Sequence, residues 1–163
     1  MARTILCFPR LKPALAALAL LAAWSVWTPA APAADQGSYV GTESCKECHD
    51  EQYARFQKYS KKANSFQSVQ SMRKGLAEDE YRGCFECHTT GYNRPGGFRS
   101  ETETPALKNA GCEVCHGPGG NHVASQDPKD IRRRPDLKMC ESCHNAERVG
   151  VFRYRPLMYG GAH

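Results

Sequence analysis

Apolar side chains are scarce in this sequence once residues 1–34 are set aside. Ile, Leu, Val and Phe together occupy only about one position in eight between Asp35 and His163. That share is below the roughly 20% under which chains tend to be disordered. Such a chain cannot bury enough apolar surface by itself to offset its ordering entropy. Either this segment is unfolded, or a group other than the polypeptide supplies its interior.

The sequence also lacks an apolar run of membrane-spanning length. The stretch from Ala14 to Trp27 is shorter than the roughly 20 residues that a spanning helix needs. It follows three basic residues and precedes the small residues Ala31-Pro32-Ala33, an order typical of secretory signals. We therefore interpret residues 1–34, with Cys7, as a cleaved signal peptide and residues 35–163 as one exported, periplasmic domain. A retained N-terminal anchor is the alternative.

No cysteine of residues 35–163 lies outside a single pattern, C-x-x-C-H, which occurs four times. The cysteines are Cys45, Cys48, Cys84, Cys87, Cys112, Cys115, Cys140 and Cys143, and the histidines are His49, His88, His116 and His144. Two thiols three positions apart can add to the two vinyl groups of one haem, and the adjacent histidine then lies under the iron as its proximal ligand. The pattern predicts four covalently bound c-type haems.

Paired cysteines have two other common uses, zinc binding and disulfide formation. Four C-x-x-C pairs would suffice for two zinc sites, but zinc does not require a histidine after every second cysteine. Disulfides occur in exported proteins, but a local C-x-x-C bridge is usually redox-active rather than structural. Haem accounts for every residue of the pattern.

Four haems would share this short segment, so the macrocycles must form most of the core. We predict a mainly α protein, with short helices and loops packed around four haems and little or no β structure. Aromatic periodicity favours a helix from Asp50 to Lys62, and apolar spacing favours a second from about Phe66 to Leu76. Short helices should lead into the third and fourth motifs, and a short hairpin near Tyr92 to Phe98 is the one candidate for strand.

Dense packing brings haems close together, and electron tunnelling falls off exponentially with distance. We therefore predict an electron-transfer protein that relays electrons between redox partner proteins, with no catalytic residues of its own. Residues 35–163 hold 19 Lys and Arg against 17 Asp and Glu, so the charge does not imply nucleic-acid binding. A basic run from Lys129 to Lys138 is interpreted as a solvated loop, with steering of an acidic partner as the alternative.

Histidine is too scarce to supply both axial ligands of every iron. Bis-histidine ligation of four haems needs eight histidines, and this segment has six, the four of the motifs plus His122 and His163. Ligation of a neighbouring haem suits His122 better than a return to its own haem, because the intervening segment is short. Met72 and Met158 are alternative ligands. Lys62 would have to lose a proton at a cost of roughly 4–5 kcal/mol.

Three segments resemble the cytochrome c554 family of tetrahaem cytochromes. They are Tyr39-Val40-Gly41, Cys87-His88-Thr89-Thr90-Gly91-Tyr92, and Gly111 to Gly119 together with His122. The resemblance runs from about Tyr39 to the C-terminus, and Gly111 to His122 is its most specific part. It implies a mainly α-helical, periplasmic electron-transfer protein.

The resemblance also implies a set of iron ligands. His122 matches the histidine that ligates the first haem opposite His49, and the haem on His88 matches a five-coordinate haem with an open distal site. His163 is the candidate distal ligand of the fourth haem. Lys62 stands where the family has the histidine that ligates the third haem, on His116. That haem therefore has lysine, an open site or a ligand from another subunit as its alternatives.

Two further functions follow from the missing histidines. An open haem would allow reduction of a small ligand such as nitric oxide or nitrite. A subunit of a larger assembly would take a ligand from its neighbour, so oligomers are among the expectations. An electron relay is favoured, because no spare histidine remains as a proton donor.

Overall fold

The computed structural model describes residues 37–150 and Arg155. Backbone contacts divide the chain between Ala34 and Asp35, and all described residues belong to the second unit. Its α-helices are α1 (Asp50–Tyr59), α2 (Ser65–Met72), α3 (Glu78–Gly83), α4 (Phe85–His88), α5 (Cys112–His116), α6 (Gly120–Ser125) and α7 (Leu137–Glu141). Short 3-10 helices span Thr42–Cys45, Lys61–Asn64, Arg73–Gly75, Pro105–Leu107 and Pro128–Asp130. The described residues contain no strand, so the prediction of a mainly α fold is confirmed.

Helix α1 begins at Asp50 as expected but ends at Tyr59, before the predicted end at Lys62. The backbone of Ser60 is extended, and its hydroxyl accepts a hydrogen bond from the Lys62 amide at 3.3 Å. Serine side chains compete with helical hydrogen bonds in this way. The chain therefore leaves α1 and starts a separate 3-10 turn.

Helix α2 confirms the second predicted helix with shorter bounds. Phe66 and Val69, three positions apart, are both buried and face the protein interior. The α-helix ends at Met72, which is 51% exposed. The rest of the predicted helix is a 3-10 turn. The apolar stripe of the sequence therefore marks the buried face correctly, although not the last turn.

The segment from Tyr92 to Phe98 is a loop held by turns, so the candidate hairpin is wrong. The Arg94 amide donates to the Gly91 carbonyl at 3.0 Å, and the Gly97 amide donates to the Arg94 carbonyl at 3.0 Å. A Cβ atom on Gly97 would overlap the carbonyl of Gly91. The loop is thus wound too tightly for paired strands.

A small aromatic cluster forms the protein-made core of the described residues. Its buried members are Phe66, Val69, Phe85, Phe98 and Leu107. Phe85 lies at its centre, since its ring centroid is 4.9 to 5.7 Å from those of four other aromatic rings. By contrast, no residue between Asn121 and Gly150 is buried. The core therefore lies around the second motif and does not extend to the fourth.

Candidate haem-binding site

Each described motif folds as one helical turn. Its two cysteines, three residues apart, and the following histidine therefore lie near one another on that turn. The histidine amide donates to the carbonyl of the first cysteine at 2.9 Å in the first motif, 3.1 Å in the second and 2.8 Å in the fourth. The third motif is helix α5 itself. All eight cysteines are free of disulfides. This arrangement leaves both thiols of every motif available for one porphyrin.

Two motif histidines are oriented by hydrogen bonds to backbone carbonyls. Nδ1 of His88 lies 3.0 Å from the Ser65 carbonyl oxygen, and Nδ1 of His116 lies 2.7 Å from the Arg132 carbonyl oxygen. A carbonyl can only accept, so Nδ1 carries the proton in both rings. Nε2 is then the unprotonated nitrogen, which is the form that binds a metal.

His122 has the same arrangement outside the motifs. Its Nδ1 lies 2.9 Å from the carbonyl oxygen of Asp127, so its Nε2 is also the unprotonated nitrogen. Its ring centroid lies 6.3 Å from that of His49, and the two ring planes are 23° apart. Two imidazoles bound to opposite sides of one metal, with bonds of about 2 Å, have centroids roughly 6 Å apart. The spacing between His49 and His122 therefore fits one iron held between them.

Cysteines of different motifs lie beside each other. The Cys112 thiol raises the pKa of the Cys45 thiol through a hydrogen bond between the two side chains. Burial, followed by a hydrogen bond with the Cys143 thiol, raises the pKa of Cys87 to about 12. The first motif therefore adjoins the third, and the second motif adjoins the fourth.

Cys115 connects the third motif to the fourth. Burial raises the pKa of its thiol, the positive charge of Lys62 lowers it, and the nearby Cys140 and Cys143 raise it further. The same lysine acts on His144, whose pKa is lowered first by burial and then by Lys62. The charge of Lys62 therefore acts on residues of both the third and the fourth motifs.

Glu113, between the two cysteines of the third motif, is a buried carboxylate that sequence reasoning missed. Only 3% of the residue is exposed. It accepts three backbone hydrogen bonds, from the amides of Val40 at 3.0 Å, Gly41 at 2.8 Å and Gly119 at 2.7 Å. No sequence signal marks it, since Glu141 has the same position in the fourth motif and is exposed.

The remaining ligand candidates divide between described and undescribed positions. Met72 is half exposed at the end of α2. His163 and Met158 lie outside the described residues.

Zinc, the alternative metal, has a geometric requirement of its own. A structural zinc site needs four ligands around one ion. In residues 37–150 no group of three or more Cys, His, Asp or Glu side chains is arranged to hold a metal ion in that way. The same part of the chain contains no helix long and apolar enough to cross a membrane.

Haem fits the residues that are present, because the thiols are free and the imidazoles are oriented for a metal. The eight motif cysteines would hold it through thioethers, and the four motif histidines, with His122, would ligate iron. Bound haem supplies one-electron chemistry at iron. The polypeptide orients the imidazoles and brings the motifs together.

Known proteins share both the motif region and the fold. A family model described as cytochrome c554 and c-prime matches residues 44–117. Cytochrome c-554 of Nitrosomonas europaea is 45% identical over 40 residues, which are 24% of this chain and 17% of that relative. The chain therefore matches far less than two thirds of the relative's length.

A solved structure of reduced cytochrome c554 from Nitrosomonas europaea has a similar fold. It matches with a TM-score of 0.58 and 20% identity, over 78% of this chain and 86% of the other. At this identity the likeness concerns the fold, and it extends well beyond the short region of the sequence match.

Proposed function

Because sequence and fold both tie this chain to the cytochrome c554 family, we propose that it carries electrons between redox proteins outside the cytoplasm through four covalently bound c-type haems. The family-model match over residues 44–117 and the cytochrome c-554 relative support a multihaem c-type cytochrome with covalent haem. The number of haems, the export and the relay role belong to the proposal.

The contacts between motifs carry this proposal. The pairs Cys45 with Cys112 and Cys87 with Cys143, and the approach of Cys115 to Cys140, join the motifs in the order first, third, fourth, second. Haems attached there would form one row with the first and second haems at its ends. Electrons can then enter at one end and leave at the other, which is the geometry of a relay.

The axial ligands of the four haems follow from the same residues. We assign His49 and His122 to the first haem and His144, with His163 as its candidate partner, to the fourth. The second haem has His88 alone. The third has His116, with Lys62, an open position or a ligand from another subunit on its other side.

A haem count tests the relay directly. Purified exported protein should give four haems per chain in a pyridine haemochrome assay, and its mass should equal a chain that begins near Asp35 plus four haems. The double variant Cys140→Ala/Cys143→Ala should give three haems. Ser142→Ala, which changes the same motif but keeps both thiols, should give four. Protein with free thiols and no Soret band would disprove the proposal.

Reduction of a small ligand is the second candidate function, and the histidine count favours it. The described chain holds five histidines, of which four belong to motifs, so His88 has no histidine partner assigned to it. Electron paramagnetic resonance of the oxidised protein should show a high-spin haem, and nitric oxide should bind it. If every haem is low-spin and inert to nitric oxide, the enzyme hypothesis fails and the relay stands.

The ligation of the third haem is tested at Lys62. If lysine is the ligand, Lys62→Ala should convert one low-spin haem to high spin, whereas Lys61→Ala, one residue earlier, should not. Sedimentation velocity at several concentrations tests the subunit alternative. A persistent monomer would exclude a ligand from another chain.

A further inference from the structure

Glu113 is a charged group buried at the meeting point of two segments. Burying a carboxylate is costly unless hydrogen bonds satisfy it. Here three backbone amides do so, and both carboxylate oxygens are used. Bonds from amides to an ionised acceptor are among the stronger hydrogen bonds in proteins. This side chain therefore holds its three donors firmly in place.

The donors belong to the two segments that carry the proposed ligands of the first haem. Gly41 immediately precedes the 3-10 helix Thr42–Cys45, and His49 follows that helix by four residues. Gly119 immediately precedes helix α6, which contains His122. A single carboxylate thus accepts a bond at 2.8 Å from the first segment and at 2.7 Å from the second.

A second contact aligns the same two segments. The Gly120 amide donates to the Ser38 carbonyl at 2.9 Å, so the start of α6 is bonded to the N-terminal segment as well as to Glu113. The His122 ring is then turned by its Nδ1 bond to Asp127. These contacts join the two segments whose His49 and His122 ring centroids lie 6.3 Å apart.

We infer that Glu113 is a positioning residue for the first haem: although it belongs to the third motif, it sets the spacing between His49 and His122 across the iron. This inference rests on the proposed function, because it takes both histidines as ligands of one haem. The hydrogen bonds of the Glu113 carboxylate go to backbone amides and not to either imidazole. Its effect passes through the backbone of Gly41 and Gly119.

An ionised carboxylate is suited to this task and an amide is not. Glu113 must accept three hydrogen bonds and donate none. The side chain of Gln has nearly the same shape, but its NH₂ group only donates. In Glu113→Gln at least one backbone amide would therefore face another donor, and the two segments would separate.

The test uses the haem-loaded protein and its Glu113→Gln variant. Carbon monoxide titration of the reduced protein counts the haems that have an open or easily displaced axial site. We expect Glu113→Gln to keep four haems and to bind about one equivalent more carbon monoxide per chain than the wild type. Oxidised samples should show a matching gain of one high-spin haem in electron paramagnetic resonance.

Three further variants serve as controls for this result. Glu141→Gln changes the same position of the fourth motif, where the residue is exposed, and should leave the carbon monoxide count unchanged. His122→Ala should reproduce the added equivalent. The double variant Glu113→Gln/His122→Ala should bind no more than His122→Ala alone, because both changes act on one bond.

The remaining outcomes contradict the inference, each in a recognisable way. Four haems with unchanged carbon monoxide binding in Glu113→Gln would overturn it. So would loss of haems from Glu113→Gln while Glu141→Gln stays fully loaded, since Glu113 would then act in folding or haem attachment. Absence of haem from the wild type would instead mean that the proposed function has failed.

Discussion

Residues 56–119, the core segment, contain several groups of buried residues, whereas residues 121–150, the trailing segment, contain no buried residue. The first variable residue of a motif shows the same contrast. It is buried in the second and third motifs, as Phe85 and Glu113, and exposed in the fourth, as Glu141. The second and third motifs, which lie in the core segment, are therefore held by contacts with the rest of the protein. In the trailing segment, an interior would have to come from the proposed haems.

Helix length leads to the same conclusion. Helices α6 and α7 have six and five residues, and isolated helices shorter than about 12–15 residues are marginal in water. Such helices need tertiary packing. Since no residue of the trailing segment is buried, we attribute its order to the porphyrins proposed for the third and fourth motifs.

Haem removal should have the largest effect on this contrast. A chain expressed without haem attachment should lose most of its far-UV helical signal, because the polypeptide alone lacks a sufficient apolar interior. Amide hydrogen exchange should show no protection in the trailing segment and at most weak protection around the aromatic cluster. A haem-free chain with the circular dichroism of the holoprotein would contradict both the prediction and the contrast.

Phe85→Ala should have the next largest effect. It removes the central ring of the aromatic cluster, and we expect the haem-loaded protein to lose about 3–5 kcal/mol of unfolding free energy. Denaturant titration followed by circular dichroism measures the loss. Glu86→Ala is the control, because its side chain lies on the exposed side of the same turn and should change stability by about 0.5 kcal/mol or less.

Ser65→Ala should have an intermediate effect within the core segment. The Ser65 hydroxyl donates to the His88 carbonyl at 2.8 Å and accepts from the Ala110 amide at 2.9 Å. Without it, two buried backbone groups lose their partner, at an expected cost of about 1–3 kcal/mol. Ser71→Ala removes an exposed hydroxyl from the same helix and should cost much less. Equal losses of unfolding free energy in the two variants would show that the buried hydrogen bonds of Ser65 contribute no more to stability than an exposed hydroxyl does.

Leu137→Ala should have the smallest effect, because it probes the trailing segment. Leu137 is 43% exposed, and we expect a change of about 0.5 kcal/mol or less in unfolding free energy. Lys138→Ala, the next residue, serves as the comparison. A loss of several kcal/mol in the haem-loaded protein would mean that a porphyrin covers this side chain, and the contrast between the segments would need revision.

The motifs and the two longest helices could be predicted from the sequence, because each has a local pattern. The C-x-x-C-H spacing specifies one turn, and the apolar residues of α2 recur at helical spacing. Helix α3 was missed because Glu78–Gly83 contains a single large apolar residue. It forms through its acidic first turn, which favours a helix N-terminus, and through a bond from the Ala77 amide to Glu80 at 2.9 Å.

The sequence could name candidate iron ligands, but it could not show which residues support them. His122 was assigned to the haem of His49 through the family resemblance, and their ring spacing fits that assignment. The burial of Glu113 depends on contacts with Val40 and Gly41, which are distant in the chain, and such contacts leave no mark in a local pattern. The end of α1 before Ser60 is likewise hard to predict, because a serine can lie within a helix or end one.

The imidazoles of His88, His116 and His122 all donate their Nδ1–H to main-chain oxygens, those of Ser65, Arg132 and Asp127. A main-chain acceptor persists whichever amino acid occupies its position. Surface chemistry around these three rings can thus be rewritten, for instance to suit a new redox partner, while the electron-donating strength of each imidazole is retained. A shift of the main chain itself would be needed to change the electron-donating strength of these imidazoles.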